Sequence, residues 1–97
     1  MFIPGALTSL FAVTLVLAAP ADCLKLDAAR DAVHAEKLIP ISEATRIARA
    51  RMQGDVVSAN LCRVDSRLMY VLAILARGGR VVRIAVDAQT RAVRELR

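Results

Sequence analysis

The chain has 97 residues, enough for one small domain. It has only three aromatic residues, Phe2, Phe11 and Tyr70, so any core must be built from aliphatic side chains. Charge is unevenly spread: Asp22 to Thr45 carries five acids and three bases, whereas from Arg46 onward eleven arginines face four acids. Two cysteines and one distant histidine do not make four zinc ligands at any usual spacing, and no glycine-rich phosphate loop precedes a helix.

The stretch Ala6 to Ala19 is apolar apart from Thr8, Ser9 and Thr14. A membrane span needs about 20 apolar residues, so this segment suits the hydrophobic region of a secretory signal better. Ala19-Pro20-Ala21 places small residues before Asp22, and residues 1–21 are therefore expected to be a signal peptide. No Lys or Arg lies ahead of the apolar run, and an uncleaved anchor is the rival reading. Export implies a periplasmic or secreted protein, and an oxidising compartment in which Cys23 and Cys62 have the option of a disulfide across about 40 residues. Two independent thiols are the alternative. Cys23 follows Asp22 and so lacks the small preceding residue of a lipid-attachment cysteine.

Residues 22–97 then read as a single domain. Asp27 to Lys37 is expected to be a lead-in helix, capped by Asp27 and ended by the Ile39-Pro40 step. Ser42 to Gln53 is expected to be a second helix, with Ser42 as N-cap and Gly54 as the positive-φ residue that ends it. Ile41, Ala44, Ala48 and Met52, with Ile47 beside them, form an apolar stripe. After Gly54 the period drops to two. Val57, Ala59 and Leu61 alternate with Ser58, Asn60 and Cys62. Leu68 to Ala76 is apolar on both faces, and Val82, Ile84 and Val86 alternate with Arg83, Ala85 and Asp87. Asp65-Ser66 and Arg77-Gly78-Gly79 mark the turns, and Val93 to Leu96 begins a short fourth strand. The layout is α+β: one or two N-terminal helices packed on a three- to four-stranded antiparallel meander.

Five segments taken together resemble a known family: Ile41-Ser42-Glu43-Ala44, Gly54-Asp55-Val56-Val57, Met69-Tyr70-Val71, Gly79-Arg80-Val81 and Val86-Asp87-Ala88-Gln89-Thr90. Their order and spacing look like a PepSY domain with its core at 41–96. The piece from Ala29 to Pro40 resembles the lead-in helix of short exported members. Two positions depart from that pattern. Arg91 and Ser66 stand where the family usually has glycine, so those turns are expected to be of another type unless they bear the cost of positive φ. The resemblance implies a helix-on-sheet fold, no catalytic residues and no cofactor. It also implies a role in restraining or regulating a peptidase, here in trans, or in serving a membrane regulatory protein.

The residues themselves favour the same class. His34 has no serine in a nucleophile-elbow pattern to act on, and reads as a surface residue of the first helix. Asp87 reads as an Asx-turn acceptor and Tyr70 as a core residue with its hydroxyl at the rim. Arg46 and Arg49, three apart on the outer side of the second helix, are candidate contacts for an acidic partner, although a solvated helix face is commoner. Nucleic acid is not expected, because no aromatics are interleaved with the arginines. If Tyr70, Leu72 and Ile74 face the helix, then Met69, Val71 and Ala73 face away. That outer face is the expected meeting surface for an unidentified protein partner or a second copy of the chain, the alternative being that the lead-in helix or the N-terminal tail, held by Cys23–Cys62, folds over it. Two alternatives stay open: an accessory to a membrane sensor, and a binder of anionic envelope surfaces.

Overall fold

Alternation after residue 54 produces the sheet, and the two helices before it produce the cover. The computed structural model describes residues 22–96, so the expected signal peptide lies outside the described residues. In chain order the elements are β1 (Asp22–Cys23), α1 (Leu26–Ala35), α2 (Ile41–Arg51), β2 (Asp55–Val64), β3 (Arg67–Leu75), β4 (Val81–Asp87) and β5 (Val93–Leu96), with a 3-10 turn at Arg77–Gly79. The strands form one five-stranded antiparallel sheet in the order β1-β2-β3-β4-β5. The fold is α+β, with both helices on one face of the sheet. No helix among the described residues is long and apolar enough to cross a membrane.

Both helices start earlier than their capping residues predicted. Lys25 and Pro40, each in extended backbone, are the N-caps, and neither offers a side-chain cap. Pro40 has the fixed φ that a helix entry tolerates, and its carbonyl accepts the Glu43 and Ala44 N–H groups. Ser42 is therefore inside the first turn, and Asp27 acts only as a charge near the positive end of α1. Gly54 keeps its positive φ of 153° but lies one residue beyond the expected place just after the cap, since Met52 is the C-cap and Gln53 follows it. Its glycine is needed for another reason: a Cβ there would lie 2.4 Å from the Leu75 carbonyl oxygen. The entry to β2 is thus pressed against the end of β3.

Two features of the sheet were not expected. β1 is a two-residue edge strand whose Cys23 lies opposite Cys62 of β2, and the disulfide that the sequence left open against two free thiols joins them. In β2 the register shifts between Val56 and Ser58, so Val57 is the extra residue of a bulge and is exposed. Val56, not Val57, packs with Ala59 and Leu61 against the core.

The β2–β3 and β4–β5 turns keep positive φ without glycine. Asp65 and Ser66 have φ of 52° and 69°, and Val64 pairs with Arg67 across them. A two-residue hairpin loop with both residues left-handed matches the twist of the strands. Arg91 has φ 71°. The expectation of another turn type fails at both places, because strand twist and register dictate the turn and the side chains bear the strain.

The core lies between α2 and the inner face of β2, β3 and β4. Ala44 and Ala48 are fully buried, and their small size lets α2 lie close on Leu72, Ile74, Ile84 and Val86. Ile47 is only half-buried and Ile41 is exposed, so the stripe is narrower than its pattern.

Candidate binding surfaces

β3 and β4 place their side chains alternately on the two faces of the sheet. Tyr70, Leu72 and Ile74 point to the helices, and Met69, Val71, Ala73 and Leu75 point away. Register then sets the neighbours on the outer face. Met69 sits between Cys62 and Asp87, Val71 between Asn60 and Ala85, and Ala73 between Ser58 and Arg83. Leu75 lies opposite Val81.

These three candidates for an interaction face are unequal. Met69 is buried, flanked by Cys62 on one side and Asp87 on the other. Val71 and Ala73 are half-buried. The accessible apolar surface lies further along, where Leu75 is 38% exposed and Val81 60%. The sequence contained a signal for Val81, since Val81-Val82 puts one valine on each face, but the strand was expected to start at Val82. Arg83 and Arg94 rim this face, and Arg94 donates to Asp65 at 3.1 Å.

Asp87 has a double role at the end of β4. Its Oδ1 accepts the Gln89 and Thr90 N–H groups at 2.8 and 3.0 Å, which is the expected Asx turn. Its Oδ2 accepts the Arg67 Nε at 2.5 Å, a bond the sequence did not reveal. The bonds from Arg67, Thr90 and Gln89 hold the Asp87 carboxyl well below the usual carboxylate range, against the opposing effect of burial. An acceptor this fully occupied is a structural residue of the turn.

The two candidate basic contacts are also unequal. Glu43 is shared by Arg46, at 3.8 Å, and by Arg91, whose Nε donates to it. The Arg91 bond, with the charges of Arg91 and Arg46, lowers the Glu43 pKa. Arg49 forms no ion pair among the described residues and is exposed. The two therefore do not present a free pair of guanidinium groups.

Tyr70 is more than a core residue. It is 3% exposed, and its hydroxyl donates to the Ile39 carbonyl at 2.8 Å, clamping the link between the helices to the sheet. Burial raises its pKa. His34 is exposed on α1, at the edge of a cleft of about 400 Å³ beneath that helix. A second, more polar groove of about 680 Å³ lies where Met52–Asp55 meet Leu75–Arg80. Among the described residues no group of three or more His, Cys, Asp or Glu side chains converges as a metal site. Comparison with family models, with curated proteins and with solved structures finds no match to this chain.

Proposed function

We propose that the chain is an exported, non-catalytic protein-binding module that uses the outer face of its sheet, in the manner of a PepSY-like regulator acting on a peptidase in trans. The observation that carries this reading is the apolar strip of Val71, Ala73, Leu75 and Val81, on the side of the sheet opposite both helices. Apolar strips of this kind are costly to leave in water and mark contact sites. Arg83 and Arg94 at its edge favour an acidic rim on the partner. The Cys23–Cys62 bond supports an oxidising compartment, and so supports export.

The test uses Val81→Glu and Val71→Glu. Val81 is exposed, so its substitution should change stability by no more than about 0.5 kcal/mol. Wild type and both variants would be purified with a tag from the cell envelope and compared by sedimentation velocity. The wild type should carry a stoichiometric partner, or form a dimer, that Val81→Glu loses while keeping the wild-type melting temperature. Retention of partner or dimer by both folded variants would rule out the outer face. An intact Met1 on protein recovered from the cytosol would rule out export.

A further inference from the structure

Helix α1 is fastened at its two ends and scarcely between them. Ahead of it, Cys23 is bonded to Cys62, and the Leu24 N–H donates to the Leu61 carbonyl at 2.8 Å. Behind it, the Ile39 N–H donates to the Ala88 carbonyl at 2.9 Å, and Tyr70 holds the Ile39 carbonyl. The helix itself buries no residue completely. Its inward side chains, Ala29, Ala32 and Val33, pack against the core and stay partly exposed. An apolar cleft of about 400 Å³ remains, with Leu24, Ala59, Leu61 and Tyr70 among its walls. Leu26 and Ile41 also line it, and at 66% and 46% exposure they are two of the most exposed large apolar residues in the described chain.

The polar groups of the cleft are few and of one kind. Arg30 and His34, one helical turn apart on α1, are both nitrogen groups able to donate, whereas Asn60, paired with Val71, turns its side chain to the outer face. No carboxylate lines the cleft, although Asp27 and Asp31 lie on the same helix, and Arg30 forms no ion pair among the described residues. A concave apolar site of a few hundred Å³ with a small set of convergent polar groups is the usual form of a small-molecule pocket. Here the walls suit an aliphatic tail and Arg30 suits an anionic head.

We infer that the cleft under α1 binds an aliphatic carboxylate, a fatty acid whose tail lies along Leu24, Val33 and Leu61 and whose carboxylate meets Arg30. This site is separate from the outer sheet face, and it stands or falls independently of the proposed partner surface.

The experiment titrates the full, disulfide-bonded chain with dodecanoate and, separately, with dodecanol, following amide shifts by NMR. Saturable binding should perturb Leu24, Val33, Ala59 and Tyr70. Ala59→Phe, which fills the cleft from the strand side, should weaken dodecanoate at least tenfold. Val33→Phe fills it from the helix side and gives the same readout if the first variant does not fold. Arg30→Glu should weaken dodecanoate about three- to fivefold, the upper part of the scale of an exposed ion pair, and leave dodecanol within about twofold. Absence of saturable binding, or shifts centred on Val71 to Val81, would overturn the site. Equal loss of both ligands in Arg30→Glu would overturn the role of Arg30.

Discussion

The Tyr70 hydroxyl is a sensitive point in this fold, and Tyr70→Phe tests it with little other disturbance. The ring stays and so does its apolar burial; only the donor to the Ile39 carbonyl is removed. Both residues are buried, at 3% and 6% exposure, so the carbonyl is left without a partner and without ready access to water. A buried acceptor stranded in this way costs about 1–3 kcal/mol. For a domain of this size each kcal/mol moves the melting temperature by about 4–8 °C, and a drop of about 10 °C is expected. Thermal melting by far-ultraviolet circular dichroism gives the magnitude. Amide exchange locates it, and protection should fall first in α1 and the link that follows it. A melting temperature within about 2 °C of wild type would refute the reasoning, because the hydroxyl would then contribute less than a typical net hydrogen bond. The wild type offers a second reading of the same contact. Tyr70 is the one tyrosine of the chain, and burial raises its pKa, so phenolate absorbance should appear only above the ordinary value of about 10. The stability linked to this group is complete below that pH and is lost as pH rises through the folded-state value.

Two further outcomes follow from the turns. Ser66→Gly should stabilise by about 1 kcal/mol, because φ of 69° penalises any side chain with a Cβ; a lower denaturation midpoint in urea would contradict the assigned turn. The bonds from Arg67, Thr90 and Gln89 hold the Asp87 carboxyl below its ordinary range, so the stability it contributes is complete above about pH 4 and is lost as pH falls below that. Asp87→Asn keeps an acceptor for the turn but loses the charge, and should flatten the acid limb of the melting-temperature profile; an unchanged limb would mean that Arg67 contributes nothing to it.

Local pattern decided the order of elements. A 3.6-residue period before Gly54 and a two-residue period after it are properties of the chain alone. So are the glycine turn at Gly78-Gly79, the two-faced apolar character of β3 and the inward side of Tyr70. The expectation of a PepSY domain rests on five segments of the sequence alone, and no family model matches the chain. Tertiary structure decided the rest. β1 is two residues long, too short to show a period, and exists because β2 offers an edge and Cys62 a partner far along the chain. Val56 and Val57 are both apolar, so only pairing with β3 could decide which of them enters the core. Arg67 meets Asp87 because the β3–β4 register brings the two strand ends together, and no spacing along the chain announces that. The cleft under α1 is the clearest case. Its alanines read as an ordinary helix face, and the cleft appears only when the fold brings α1, Pro40, Ile41 and β2 together around it.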